Sequence, residues 1–252
     1  MRKLFKTLLP LLVIPMIPLV YGQEVDAAEV IQPKAVVELF TSQGCSSCPP
    51  ADKILGKLVS ENETLALAWH VDYWDYLGWK DSFASKANTK RQRRYAVSLG
   101  QNQIYTPQVV VNGRSHVIGS KEGKIRDTIE AYSKSALGLT VPINTSFTKD
   151  GMNVSVDVNA VSQNTTLWIV YFNNKEIVEV KNGENHGKTL EYSNVVQDIQ
   201  MVGMIDDKPI RTTLPLHEIK EIGADSCALI LQRTTKDGTP GAIVGAAIIK
   251  NL

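Results

Sequence analysis

Neither sign of charge dominates this sequence: 27 Lys and Arg stand against 26 Asp and Glu. Arg2, Lys3 and Lys6 fall in the first 22 residues, which hold no acid, so the remainder carries 24 against 26. A chain so balanced has no electrostatic reason to coat nucleic acid or an anionic membrane. Internal repeats and low-complexity tracts are missing too. A composition of 43% hydrophobic and 21% charged residues is ordinary for a globular protein and excludes disordered and collagen-like classes. Long apolar runs are also scarce. Leu8 to Val20 spans 13 residues and is interrupted by Pro10, Pro15 and Pro18, whereas a bilayer-spanning helix needs roughly 18 or more.

A basic start, a short apolar stretch and the small-residue end Val20-Tyr21-Gly22 describe a secretory signal peptide over residues 1–22. No cysteine stands at the expected cut for lipidation. The mature protein is therefore expected to be periplasmic or secreted, with no stable membrane insertion after cleavage and no nucleic-acid partner. Export matters for the chemistry below, because disulfides persist outside the cytosol and are rare within it. About 230 residues exceed one ordinary domain and predict two.

From Ala35 to about Ser135 strand-like and helix-like segments alternate. Ala35 to Phe40 is a strand, and Pro49 or Pro50 opens a helix to about Ser60. Leu65 to Asp72 is a second apolar strand, and Ser82 to Leu99 reads as a helix. Val109 to Val111 runs into Asn112-Gly113, a strong hairpin signal, with the partner strand ending near Gly119. Ser120 is placed to cap a last helix carrying Ile125, Ile129 and Tyr132. The order β-α-β-α-β-β-α argues for a mixed sheet with covering helices. Beyond Leu137 the runs 141–148, 152–160, 166–172, 176–181, 226–234 and 242–250 alternate only partially and are separated by Gly, Asp and Asn turns. That pattern suggests a β-sandwich, with a boundary near residues 136–140.

The chemistry concentrates in Phe40-Thr41-Ser42-Gln43-Gly44-Cys45-Ser46-Ser47-Cys48-Pro49-Pro50. A Cys-x-x-Cys pair between a buried strand and a helix start is a redox geometry. The helix N-terminus favours a thiolate at Cys45, and such settings lower a thiol from about 8.5 to roughly 3.5–7.5. Cys45 would attack and Cys48, one turn deeper, would resolve. An inert staple and half of a metal site are the alternatives. Tyr105-Thr106-Pro107-Gln108 directly precedes a strand, where a proline that cannot donate to the sheet is best placed. His70, Asp72 and Asp75 leave the end of the second strand. The two acids could orient His70, or all three could join the cysteines around copper or zinc, although a loop in which Trp74 and Trp79 pack over the helices explains them as well. Lys90, Arg91, Arg93 and Arg94 read as a solvated helix face, Gly183 to Gly187 as a tight turn, and Cys227 as a buried thiol.

Element order, Cys pair and Thr-Pro together resemble the thioredoxin superfamily. The resemblance implies an α/β thioredoxin-like N-terminal domain over 30–137, joined to an all-β sandwich C-terminal domain over 138–252. It implies a cis Pro107 facing the cysteines, catalytic roles for Cys45 and Cys48, and a proton-accepting role for Glu38 on the first strand. Substrate would lie against Thr106, Trp74 and Trp79. Val37 to Asp52, His70 to Trp79, Tyr105 to Gln108 and Gly183 to Gly187 are similar to a secreted family catalogued as domain of unknown function 1223. The expected function is thiol–disulfide exchange on exported protein or peptide thiols, with an unidentified redox partner, no cofactor and no bound metal. A copper or zinc module on the same cysteines, or a non-catalytic interaction protein, is the alternative.

Overall fold

The structure is a computed structural model and describes residues 29–149, 151–157, 164–205 and 208–250. The expected leader lies outside the described residues. Strand β2 (Ala35–Thr41) is buried at all seven positions and so is β3 (Thr64–His70). They pair in parallel, and near-continuous apolar sequence is what a strand covered on both faces requires. Between them lies α1 (Pro49–Ser60), with proline at its start and Ala51, Ile54, Leu55 and Leu58 turned inward. Helix α2 (Lys86–Ser98) covers the opposite face, and β4 (Gln108–Val111), β5 (Ser115–Ile118) and α3 (Glu122–Ser133) follow. The strand preceding them all is β1 (Glu29–Ile31).

Two helix starts differ from expectation. Helix α2 begins at Lys86 rather than Ser82, because the Ser85 side chain accepts from the Asn88 N–H while Asp81 Oδ1 holds the Phe83 N–H at 2.9 Å in a turn. Helix α3 is preceded by Lys121 with no side-chain cap, so Ser120 does not serve that role.

The second half supplies β6 (Asn144–Thr148), β7 (Gly151–Val156), β8 (Thr165–Glu179), β9 (Thr189–Ile205), β10 (Ile210–Leu214), the short helix α4 (Leu216–Glu221), β11 (Ser226–Thr234) and β12 (Pro240–Lys250). A thioredoxin-like domain beside a separate sandwich is not what these strands build. Among the described residues, most of them enter one mixed nine-stranded sheet in the order β1-β12-β11-β8-β9-β3-β2-β4-β5, and β10-β7-β6 form a second sheet. The seam is a parallel contact of β3 with β9 at Ala68 and Val195, and β1 is zipped to the last strand, Glu29 against Lys250. One apolar cluster crosses the expected boundary, packing Phe40, Trp69 and Tyr95 with Val170, Phe172, Ile230 and Ile243. A second fills the space between the small sheet and β8, β11 and β12. Strand patterning reports that a segment is extended and half-buried, but not which strand it pairs with. A run of turns and strands therefore looked like a sandwich of its own.

Candidate functional site

Alternation along β2 decides which groups can meet. Val37 and Leu39 face α1 and α3, whereas Val36 and Phe40 face α2. Thr41 continues the α1 side, and its hydroxyl donates to Asp52 Oδ1 at 2.7 Å. The chain then turns through Ser42–Ser47 into α1, placing Cys48 immediately before the helix. Cys45 and Cys48 are joined in a disulfide with Cα atoms 5.4 Å apart, and both are buried.

Two hydroxyls are directed at the first sulfur. Thr106 Oγ1 donates to Cys45 Sγ at 3.3 Å and Ser47 Oγ lies at 3.4 Å. Since a disulfide sulfur has no proton, both hydroxyls are donors there. Thr106 is itself positioned by the Trp74 indole N–H, which donates to its Oγ1 at 2.8 Å. The Thr106–Pro107 peptide is cis. Gly119 lets this segment sit close to α1, since a Cβ there would lie 2.9 Å from Pro107 Cβ and 3.0 Å from Ala51 Cβ.

The loop carrying the cysteines is clamped from the far half of the chain. The tip of the β8–β9 hairpin reaches it. The buried amide of Asn185 donates to the carbonyls of Gln43 at 2.9 Å and Cys45 at 3.0 Å, while Glu184 Oε2 accepts from the Ser46 N–H at 3.2 Å. Gln43 accepts from the Trp79 indole at 2.8 Å, and its own N–H donates to Asp81 Oδ2 at 2.8 Å.

Beneath the pair lies a polar group that packing has not fully satisfied. Asp52 sits one turn into α1, its N–H donating to the Cys48 carbonyl at 3.1 Å. Burial pushes its carboxyl up to about 7, against lowering by the Thr41 bond and by His70. His70 Nδ1 lies 2.8 Å from Asp81 Oδ2. Burial works to raise Asp81, but His70 and the N–H groups of Gln43 and Phe83 overcome it and hold the carboxyl below its ordinary value. The ring of Tyr192 crosses His70 edge-on at 4.6 Å. Asp52 Oδ2, His70 Nε2 and Tyr192 OH are all buried without a hydrogen-bond partner among the described residues.

The family described as a protein of unknown function (DUF1223) matches residues 36–232, nearly the whole of this architecture including the Cys loop and its clamp. The chain belongs to that family. Its structure is similar to protein AGR_C_4864 from Agrobacterium tumefaciens, with a TM-score of 0.77 and 40% identity, over 87% of this chain and 95% of that one. It is also similar to HBP35 of Porphyromonas gingivalis, with a TM-score of 0.54 over 85% and 74% of the two chains, where 15% identity makes the likeness one of fold alone. A comparison with curated proteins gives no match.

Within this member of the family the expected site residues separate into two groups. Cys45, Cys48, Thr106, Pro107 and Trp74 come together as described. Trp79 meets the Cys loop at Gln43 and packs with Val180, Leu190 and Tyr192. Glu38 lies on the other face of β2, fully buried, where Oε1 accepts from Arg91 Nε at 2.7 Å and Oε2 accepts from the Tyr95 hydroxyl. A side chain on that face cannot serve Cys48. Asp72 is held by Thr89 Oγ1 at 2.6 Å, and Asp81, not Asp72 or Asp75, orients His70. Among the described residues no group of three or more His, Cys, Asp or Glu is placed to hold a metal ion. Cys227 is free and buried, its thiol pushed up to about 12 by burial. The residues that sequence reasoning missed are Asp52, Asp81, Ser47 and Asn185. Asp52 had a signal, an acid four residues after Cys48 and so one helical turn below it. Asn185 had none, because nothing local tells a hairpin tip what it will touch.

Proposed function

We propose that the protein is an exported thiol–disulfide oxidoreductase that acts on protein or peptide cysteines through Cys45 and Cys48. The observation that carries this reading is the pair of hydroxyls, from Thr106 and Ser47, directed at Cys45 Sγ. Hydrogen bonds strengthen when their acceptor becomes charged, so both donors favour a thiolate at Cys45 over the thiol. In this arrangement of the site, though not in its sheet, the protein resembles the thioredoxin superfamily. The basic start and short apolar run of residues 1–22 support export.

From the disulfide state a substrate thiolate attacks Cys45 Sγ, the Cys45–Cys48 bond breaks, and Cys48 leaves as a thiolate that takes a proton from the Asp52 carboxyl. A second substrate thiolate then attacks the substrate sulfur of the mixed disulfide and releases Cys45. The substrate dithiol loses two electrons and the Cys pair gains them; the reverse sequence reduces a substrate disulfide. A carboxyl with a value near 7 gives and takes a proton readily at neutral pH. Cys45 is only 1% exposed, so exchange requires its cover to open to the incoming thiol.

That same burial favours a second reading, a staple that fixes the Cys loop for another purpose. The reduction potential in a graded thiol buffer separates the two. Exchange predicts a value of roughly −270 to −120 mV and loss of activity in Cys45→Ser, whereas a value below about −300 mV marks a staple and ends the exchange reading.

A further inference from the structure

A cavity of about 210 Å³ lies on the α2 face of the sheet, on the side of β3 away from α1. Lys90, Arg91 and Arg94 line it from α2 and Arg233 lines it from the end of β11, and its lining contains no carboxylate. Arg91 has a counter-charge, from Glu38. Lys90, Arg94 and Arg233 form no ion pair among the described residues. Burial and, after it, the charge of Arg233 push the Arg114 guanidinium below its ordinary value. In a chain of balanced charge, several cations gathered round one small cavity repel each other until an anion enters.

The cavity is also built to hold something. Arg91 is fixed over the rings of Trp69 at 4.7 Å and Tyr95 at 5.1 Å, with Nη2 donating to Gln232 Oε1 at 3.1 Å. Arg94 donates to the Gly238 carbonyl and so ties the β11–β12 turn across the opening. The apolar part of the wall is made by Trp168 with Ile199 and Pro240 beside it, while Trp69 lies under the Arg91 guanidinium. Trp69 is fully buried, and its indole N–H is a donor without a partner among the described residues. The charged groups of this lining are all donors, and the guanidinium fork matches planar oxyanions in particular.

We propose that this cavity binds a small organic anion, a carboxylate or phosphate group carried on a flat apolar body. Its volume is below the usual 300–1,000 Å³ of drug-sized sites, which sets the ligand at about the size of a single substituted ring. The proposal does not depend on the chemistry of Cys45 and Cys48.

The test is a titration of the purified protein with phenyl phosphate and with benzoate, read by tryptophan fluorescence and by the rise in Tm. Inorganic phosphate and benzylamine serve as comparisons. Saturable binding of either aromatic anion, weakened by salt, is expected, with inorganic phosphate about tenfold weaker and benzylamine inactive. Lys90→Gln with Arg233→Gln removes two exposed cations without touching the core, and affinity is expected to fall by about tenfold or more. Ala87→Phe, at an exposed helix position in the lining, is expected to fill the opening and abolish binding. No saturable binding at millimolar ligand, equal binding of benzylamine, or full affinity in both variants would overturn the proposal. Inorganic phosphate binding as tightly as phenyl phosphate would overturn the ring-bearing part of it.

Discussion

Two buried polar clusters lie on opposite faces of the sheet, and they are finished to different degrees. On the α2 face Glu38, Arg91, Tyr95 and Gln232 close on one another. Arg91 bonds Glu38, the Tyr95 hydroxyl at 3.2 Å and Gln232, while Gln232 Nε2 donates to Tyr95 at 2.7 Å and to the Gly241 carbonyl at 2.9 Å. On the α1 face Asp52, His70 and Tyr192 each keep a buried atom unpartnered among the described residues. A cluster that satisfies itself holds the fold, whereas the incomplete one contains a carboxyl, Asp52, that burial pushes up to about 7. The Cys pair stands over the incomplete one.

The contrast is broken most severely at its finished side. Glu38→Ala leaves the Arg91 guanidinium largely buried without its counter-charge, an expected loss of about 3–5 kcal/mol in urea unfolding. The reduction potential of the Cys pair is expected to stay where it was, because Glu38 does not face α1. A shift in potential as large as that of an Asp52 variant would show that the two faces are not independent.

Asp52→Asn acts on the incomplete side. A carboxyl raised from 3.8 to about 7 by burial stabilises the folded protein in its protonated form. Its contribution is complete below about pH 4, falls as the pH rises from there, and is gone above about 7. The folded protein therefore loses on the order of 4 kcal/mol across that window. An uncharged amide in place of the carboxyl is expected to flatten that slope and to make the variant the more stable form at about pH 8. The exchange rate is expected to drop about 10- to 100-fold, with its pH inflection near 7 lost. A variant with the wild-type pH–stability curve would show that Asp52 carries no such proton.

Thr106→Val is the mildest change. It deletes one donor to Cys45 Sγ, worth roughly 1.5–3 kcal/mol when the acceptor is charged. The Cys45 thiol is expected to titrate at higher pH in the variant, followed by the ultraviolet absorbance of the thiolate. The change also leaves the Trp74 indole without its acceptor, so Thr106→Ser, which restores both bonds, is expected to recover the wild-type titration.

What could be read from the sequence was local. The strand, the Cys pair, the proline-led helix and the Asn112-Gly113 hairpin follow from short-range rules of burial, backbone freedom and turn chemistry. Asn112 and Gly113 both take the positive φ that such a turn demands. The clamp, the shared sheet and the partners of Glu38 depend on residues far apart in the chain, and no local pattern encodes them. Strand β9 was missed for a related reason. Its 17 residues, carrying Gln197, Asp198 and Gln200 in the middle, are exposed over long stretches and lack an unbroken apolar face. The extended form is held instead by pairing along nearly all of β8.

The pairing of Glu29 with Lys250 has a consequence for how the molecule comes into being. The first described strand waits for the last one, and the Cys loop waits for Asn185. During synthesis the two cysteines emerge well before either closure is possible, so the pair exists in the chain before the contacts that bury it. Contacts of such long sequence separation make folding slow. The order in which bond and sheet form is then a contest of rates, and the compartment in which the chain is released decides it.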